Sequence, residues 1–361
     1  MRPSSLSFQT PGFNGYSVKY SPFFDSRIAV AASANFGLVG NGRLYILGLT
    51  PNGVVAEKWF DTQDSLYDCT WSEAHENQIL AGSGDGSVKL FDISLSEFPV
   101  QSWKEHAREV FSVHWNLVSK DTFLSSSWDG TVKIWNPTAP ASLATLPTHS
   151  CTYSAEYSPH SPHVLSAVSS DSHLRIFDLR TPASASNHLT LSIPIHAPPK
   201  SRVGAPLPMG APPSEALTHD WNKYRDSIIA TAGVDRTIRS FDIRAPAAGP
   251  VAVLPGHDYA VRRISWSPHL SDVLLSASYD MTCRVWTDGS AMGVVGPENP
   301  AADPMASAGS GGGGREMGRM GRHTEFVTGV DWCLFGAEGW CASCGWDERL
   351  LVWDVQAIMG P

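Results

Sequence analysis

Three sets of residues with acid–base chemistry recur along the chain. In each set a His is followed by a Ser, an Asp and a Trp, and the His-to-Trp spacings are 29, 29 and 30 residues. The sets are His106, Ser125, Asp129 and Trp135; His257, Ser276, Asp280 and Trp286; and His323, Ser343, Asp347 and Trp353. Ser, His and Asp are the residues of a hydrolase triad, but a triad is not built three times in one chain. We therefore expect no enzyme, and interpret the sets as buried hydrogen-bonded networks that make a fold rigid.

The elements that position these sets are short strands that follow a repeated turn, as in LAGSGDGSVKLFDI from residue 80. The turn residues are Asn41, Asp85, Asp129, Asp171, Asp235, Asp280 and Asp347, with spacings of 44, 44, 42, 64, 45 and 67. Repeats of about 40–45 residues with four strands each are typical of WD propellers. We therefore predict an all-β fold, a seven-bladed WD40-type β-propeller, that forms one domain over residues 1–361.

The two long spacings contain segments of biased composition. Residues 194–214 are rich in Pro, and residues 296–321 are rich in Gly and Ala. A compact blade has no room for such segments, so we expect both to be flexible loop inserts that project from the disc. The strand that closes the ring is a further question: residues 11–20 are a candidate partner for the last blade, and the phrase is too short to decide.

Charge and composition exclude several classes of function. The chain has 26 basic and 35 acidic residues, a net charge of −9, which argues against a nucleic-acid binder because phosphate backbones need a basic surface. No apolar run is long enough to span a membrane, and the first residues lack an apolar signal core, which predicts an intracellular protein. Cys341 and Cys344 form one CxxC without a second ligand pair, so we expect no metal site and no cofactor.

Functional residues are sought where the repeats differ. On the face that carries the His loops, exposed side chains come from the lead-in to each first strand and from the position before each turn Asp. These positions hold carboxylates among large aromatic side chains, a pattern suited to a basic segment with apolar groups. The predicted peptide-binding residues are Asp64, Tyr67, Asp68, Glu109, Trp128, Glu215, Tyr259, Arg262, Glu325, Phe326 and Trp346. The alternative, solvated carboxylates with aromatics packed on the next blade, stays open for each residue.

Several phrases are more specific than general WD-repeat vocabulary. They include WKEHAREVFSVHWN at 103–116, GHDYAVRRISWSPH at 256–269 and HTEFVTGVDW at 323–332. From about residue 11 onward, outside the two inserts, the chain resembles the WD-repeat peroxins that are cytosolic receptors for the type-2 peroxisomal targeting signal. The inserts depart from the compact form of that family, close to Glu215 and Glu325.

The resemblance implies a ligand and a mechanism. The family's signal is an N-terminal nonapeptide with Arg or Lys first, an aliphatic residue second, five variable residues, then His or Gln and an apolar residue. On a helix, positions seven apart share one face, so the resemblance implies helix-in-groove recognition by acidic and aromatic side chains. It also implies cargo such as 3-ketoacyl-CoA thiolase, a co-receptor peroxin, a peroxisomal docking complex, and a receptor that cycles from the cytosol to the peroxisome.

A second class of function explains the propeller equally well. A WD-repeat scaffold or substrate adaptor in a chromatin or ubiquitin-ligase complex would have the same repeats. It would not account for the specific phrases, and we therefore favour the receptor.

Overall fold

The computed structural model describes residues 5–95, 98–196, 214–291, 313–335 and 338–359. These residues form seven antiparallel four-stranded sheets, and the first strands of neighbouring sheets contact one another all the way round a central axis. The predicted seven-bladed β-propeller is confirmed. Helical structure in the described residues is limited to four short turns: Ala34–Gly37, Ala183–Ser186, Pro246–Ala248 and Val355–Ala357.

The strands follow one another from the axis outward in each blade, after an N-terminal strand β1 (Ser5–Gln9). Blade 1 comprises β2 (Asn14–Tyr20), β3 (Arg27–Ser33), β4 (Gly42–Thr50) and β5 (Gly53–Thr62). Blade 2 comprises β6 (Leu66–Trp71), β7 (Gln78–Ser83), β8 (Ser87–Asp92) and β9 (Gln101–Lys104). Blade 3 comprises β10 (Val110–Trp115), β11 (Phe123–Ser127), β12 (Thr131–Trp135) and β13 (Ala144–Pro147). Blade 4 comprises β14 (Thr152–Tyr157), β15 (Val164–Ser169), β16 (His173–Asp178) and β17 (Leu189–Pro194).

The remaining blades repeat the pattern. Blade 5 comprises β18 (Ala216–Trp221), β19 (Ile228–Gly233), β20 (Thr237–Asp242) and β21 (Pro250–Pro255). Blade 6 comprises β22 (Val261–Trp266), β23 (Val273–Ser278), β24 (Cys283–Thr287) and β25 (Arg315–Met320). Blade 7 comprises β26 (Val327–Trp332), β27 (Trp340–Gly345) and β28 (Arg349–Asp354), with β1 as its outer strand.

The core lies between adjacent blades. One such layer joins Val88 and Trp103 of blade 2 to Val113 and Trp115 of blade 3, all buried. Successive side chains of a strand point to opposite faces of the sheet. Because each sheet packs between two neighbouring sheets, the apolar residues on both faces are buried. Every blade packs on two neighbours, and each of the seven interfaces between blades holds its own buried layer.

The ring is closed by residues upstream of the proposed segment. Strand β1 pairs antiparallel with β28, from Ser5 opposite Trp353 to Gln9 opposite Arg349. Most of residues 11–20 form β2 instead, the innermost strand of blade 1. The suggestion that residues 11–20 close the ring is therefore wrong. The ring is nevertheless closed by pairing an N-terminal strand with the last blade.

The insert boundaries need correction where the structure describes them. Arg315–Met320, at the end of the segment 296–321, is the outer strand of blade 6 and not a loop. At the start of the segment 194–214, Pro194 ends β17, and Ile195 and His196 are buried. The central parts of both predicted inserts, 197–213 and 296–312, lie outside the described residues.

The three predicted His–Ser–Asp–Trp sets form buried chains of hydrogen bonds in the structure. In blade 3 the Trp135 indole nitrogen donates to Ser125 Oγ at 2.8 Å, Ser125 Oγ contacts His106 Nε2 at 2.8 Å, and His106 Nδ1 contacts Asp129 Oδ2 at 2.8 Å. Blades 6 and 7 repeat the chain with contacts of 2.7–3.1 Å. Each chain ties the loop before a blade to that blade's strands.

Blade 5 holds a fourth, partial set that the sequence analysis missed. His196 Nδ1 lies 2.9 Å from Asp235 Oδ2, and His196 Nε2 lies 3.2 Å from Thr231 Oγ1. Thr replaces Ser here, Phe241 stands where the other sets have Trp, and 39 residues instead of 23 or 24 separate the His from the Asp.

Candidate functional site

The candidate site lies on the face where each first strand begins and each second strand ends, which we call the top face. Within a blade, backbone hydrogen bonds join the lead-in to the residue before the turn. Trp128 N donates to Glu109 O at 3.1 Å, and Trp346 N donates to Phe326 O at 2.8 Å. The two classes of predicted positions are therefore neighbours in the structure.

Every first strand carries a bulge near its top end. The pairing register shifts by one residue there, and this extra residue lies at the mouth of the central channel. We call these seven residues the bulge ring: Tyr16, Tyr67, Phe111, Tyr153, Leu217, Arg262 and Thr328. Four of the seven are aromatic, so the mouth of the channel has a largely apolar lining.

The bulge ring and the turn aromatics form an almost continuous aromatic surface. Tyr67 stacks on Phe111 with ring centroids 4.6 Å apart, and Phe111 stacks on Trp128 at 4.4 Å. Tyr16 contacts Tyr67 at 5.2 Å and Trp346 at 5.9 Å. The surface continues through Phe326, Tyr279 and Tyr153.

Sequence reasoning named Tyr67 but missed three aromatic members of this ring. Tyr16, Phe111 and Tyr153 look like ordinary strand residues. A signal was nevertheless present, because each ring member lies four residues before the aromatic residue that ends its strand, as Phe111 does before Trp115. A comparison of the repeats at that offset would have found all seven.

Two predicted carboxylates flank Tyr67. Burial, and then the charges of Glu109 and Asp64, raise the pKa of the Tyr67 hydroxyl, so both carboxylates lie close to this ring. Both are half-buried, and Glu109 also pairs with the exposed Arg108 at 3.4 Å. This corner of blades 2 and 3 combines negative charge with a stacked aromatic surface.

The other predicted rim residues are spread round the mouth. Glu215 Oε2 accepts a hydrogen bond from the Tyr153 hydroxyl at 2.9 Å. Glu325 is exposed beside Phe326, and Tyr259 is 63% exposed, so it does not pack on the next blade. The structure thus places one acidic corner at blades 2 and 3 and single carboxylates at blades 5 and 7.

Asp68 does not belong to the rim, and this part of the predicted set is corrected. It is 2% exposed inside the channel, where its Oδ1 pairs with Arg263 Nη2 of blade 6 at 2.9 Å and its Oδ2 accepts from Val113 N at 3.1 Å. The bulge at Tyr67 separates Asp68 from the lead-in. Asp68 and Arg263 therefore hold opposite blades together and are not available to a ligand.

A loop of blade 1 stands above the aromatic surface. Asn35 and Phe36 adopt left-handed backbone conformations, with φ of 49° and 57°. The Tyr16 hydroxyl donates to Phe36 O at 2.6 Å, and the Tyr67 hydroxyl donates to Gly37 O at 2.9 Å. These bonds fix a loop in which two aliphatic residues face solvent: Leu38, 84% exposed, and Val39, 76% exposed.

Below the mouth the channel is lined by polar groups that join the blades. Asp220 Oδ2 accepts from Trp266 N at 2.6 Å, and Asp331 Oδ2 accepts from Tyr20 N at 2.8 Å. Behind this lining, burial lowers the pKa of His219 to about 3. Within the described residues no group of three His, Cys, Asp or Glu side chains is placed to hold a metal ion, and Cys341 and Cys344 are buried free thiols.

Comparison with known proteins defines the class first. Four segments match the family described as WD domain, G-beta repeat: residues 97–136, 140–178, 248–287 and 314–354. Together with the seven blades, these matches make the protein a WD-repeat β-propeller.

The particular family follows from full-length relatives. The chain is 39% identical to the peroxisomal targeting signal 2 receptor of Saccharomyces cerevisiae, over 97% of the chain and 99% of the relative. It is 35% identical to the receptor of the same name from Schizosaccharomyces pombe over 97% and 99%, and 34% identical to that of Mus musculus over 99% of each. The chain belongs to the peroxisomal targeting signal 2 receptor family, which confirms the resemblance and favours a receptor over an enzyme or another WD scaffold. None of the helices in the described ranges has the length or the apolar character to cross a bilayer.

Proposed function

We propose that this protein binds the helical, basic type-2 targeting signal of its cargo across the mouth of the channel on the top face. The observation that carries the proposal is the similarity to receptors for this signal over nearly the whole chain. The aromatic surface and the rim carboxylates lie on one face, which supports this location for the site.

The acidic corner suits the cationic end of the signal. Asp64 and Glu109 both lie close to Tyr67, so a Lys or Arg side chain laid on the aromatic surface there meets two carboxylates and a π face. A nine-residue helix is about 13 Å long. In this arrangement the residue at the far end of the helix points away from the acidic corner, and Glu215 and Glu325 are the other rim carboxylates it could meet.

The aromatic surface suits the apolar side of the same helix. Trp128, Phe326 and Trp346 are half-buried, so each still presents part of its ring to a ligand. Tyr259 and the fixed loop with Leu38 and Val39 add walls that project above this floor. Anchoring by aromatic residues inside a polar rim is the usual anatomy of a specific interface.

The partners follow from the same proposal. A signal helix on an open face leaves one side exposed, which a co-receptor peroxin covers before the complex reaches the peroxisomal docking complex. In this scheme the receptor loads cargo such as 3-ketoacyl-CoA thiolase in the cytosol and cycles to the peroxisome.

Fluorescence anisotropy with a labelled type-2 signal peptide tests the proposal, with and without a co-receptor fragment. We expect binding that the fragment strengthens. The variants Asp64→Arg and Glu109→Arg should each weaken binding at least tenfold, because each puts a cation where the peptide brings one. Both residues are partly exposed, so thermal unfolding should change little.

Glu76→Arg is the matched control, since Glu76 is exposed in the loop between β6 and β7, on the face opposite the proposed site. It changes the net charge of the protein by the same amount and should bind normally. Folded wild-type protein that binds no signal peptide, with or without the fragment, would refute the receptor proposal. Normal binding by both rim variants would instead mean that the site lies elsewhere.

A further inference from the structure

One member of the bulge ring differs from the other six in its charge. Blade 6 places Arg262 where the other blades have aromatic, aliphatic or hydroxyl side chains. Its guanidinium lies 5.8 Å from the ring centroid of Phe111, which belongs to blade 3 across the channel. The side chain therefore spans the mouth and forms the floor of the aromatic surface.

Every hydroxyl group of the bulge ring already has a partner. The Tyr16 and Tyr67 hydroxyls donate to backbone carbonyls of the blade 1 loop, the Tyr153 hydroxyl donates to Glu215, and the Thr328 hydroxyl donates to Gly15 O at 2.6 Å. The polar groups of the ring are thus satisfied by the fold, with the guanidinium as the exception.

Arg262 has no such partner in the described part of the chain. The residue is 4% exposed, and its Nη2 is buried without an acceptor. Among the described residues, no carboxylate lies within salt-bridge distance of the Arg262 guanidinium. Asp68 pairs with the neighbouring Arg263 instead. A guanidinium stays charged in proteins and offers five donors. Leaving it buried and unpaired is unfavourable, so an incoming acceptor gains by pairing with it.

The surroundings define what that acceptor is. The rim carries Asp64, Glu109, Glu215 and Glu325, which disfavour acidic groups over most of the top face. At the floor of the aromatic surface the local charge is positive, because a single guanidinium lies there. The planar donors of this group match a carboxylate. We propose that Arg262 binds one carboxylate on the channel-facing side of the targeting helix. The inference rests on the proposed function. It adds a preference for an acidic side chain at one of the signal's five variable positions.

A peptide scan tests this proposal. The parent is a labelled signal peptide with Gln at all five variable positions, and five further peptides each replace one Gln by Glu. Anisotropy titrations compare wild-type protein, Arg262→Gln and Arg262→Met, each with the co-receptor fragment present. Arg108→Gln is the control, because Arg108 is an exposed arginine of the same face that already pairs with Glu109.

We expect Glu to strengthen binding to the wild type about tenfold at one position, and to weaken it at the others because of the acidic rim. Both Arg262 variants should lose that preference, whereas Arg108→Gln should keep it. Arg262→Met should melt no lower than the wild type, because an apolar side chain of similar length replaces a buried unpaired charge.

Three results would overturn the inference. In the first, the parent peptide binds but no Glu position is preferred. In the second, the preference survives in Arg262→Gln. In the third, Arg262→Met melts well below the wild type, which would give the guanidinium a structural role. All three leave the receptor proposal standing. If neither the parent nor any Glu peptide binds, the receptor proposal fails and the inference fails with it.

Discussion

The hydrogen-bonded chain of blade 3 makes a quantitative prediction about Ser125→Ala. The Ser125 hydroxyl is fully buried and has two partners, accepting from the Trp135 indole and donating to His106 Nε2 when Nδ1–H faces Asp129. Alanine leaves one buried donor and one buried acceptor unpaired. At roughly 1.5 kcal/mol for each such group, the free energy of unfolding should fall by about 3 kcal/mol.

The size of the protein converts this loss into a small shift in melting temperature. With an unfolding entropy of about 2.1 cal/mol/K per residue, 361 residues give roughly 0.76 kcal/mol/K. A loss of about 3 kcal/mol therefore lowers the melting temperature by only about 4 °C. Urea denaturation should be measured alongside calorimetry, because the midpoint reports the same loss with the m-value as a check on the unfolded state.

Ser102→Ala is the matched control, since Ser102 is exposed on β9 of the neighbouring blade. It should change stability by less than about 0.5 kcal/mol. Trp135→Phe supplies the second arm of a double-mutant cycle, because Phe241 occupies this position in blade 5. Ser125→Ala should cost less in that background, where the indole donor is already gone. Equal stability of Ser125→Ala and Ser102→Ala would refute the view that the chain of hydrogen bonds stabilises the blade.

Three further predictions concern the channel and the loop. Asp68→Asn should lower the free energy of unfolding by about 3–5 kcal/mol, because it leaves the buried charge of Arg263 unpaired. Adding Arg263→Met should restore most of the lost free energy of unfolding in urea titrations. No recovery in the double variant would contradict the pairing. His219 stays neutral in the folded protein down to a pKa of about 3, while an unfolded His takes up a proton below about pH 6.5. Stability should therefore fall as pH drops from 6.5 towards 3, and the slope of urea midpoint against pH should be smaller for His219→Gln; equal slopes would contradict the assignment. Leu38→Ser with Val39→Ser should weaken signal-peptide binding in anisotropy titrations without lowering the melting temperature, and unchanged affinity would remove the loop from the site.

The blades could be predicted because their signal is local and repeated. A turn Asp followed by a strand that ends in Trp or Phe depends on residues within a few positions of one another, as in Asp129 to Trp135. The partial set of blade 5 was missed because its histidine lies beyond a long segment from Asp235, with Thr231 and Phe241 as replacements. The contact between the His and the Asp is therefore present in blade 5, although their separation in the sequence differs from that of the other sets.

The rim was harder to predict because it depends on strand register. Asp64 and Asp68 both precede the middle of β6, yet one faces the top and the other faces the channel, since a bulge at Tyr67 shifts the alternation by one residue. A bulge has no residue signature of its own in this chain: Tyr, Phe, Leu, Arg and Thr all occupy it. The offset of four residues before the strand-ending aromatic locates the bulge, but no residue type marks it, so its effect on Asp68 became evident only in the structure.

The closure of the ring has a consequence for how the protein is made. Strand β1 emerges first from the ribosome but pairs with Arg349–Trp353, which emerge at least 340 residues later, so roughly 20 to 70 seconds of synthesis separate the two partners. The aromatic surface crosses this seam, where Tyr16 and Phe36 of blade 1 meet Trp346 of blade 7. The proposed binding face can therefore form only after Arg349–Trp353 have been synthesised, and on this proposal a nascent chain cannot engage a signal peptide before that point.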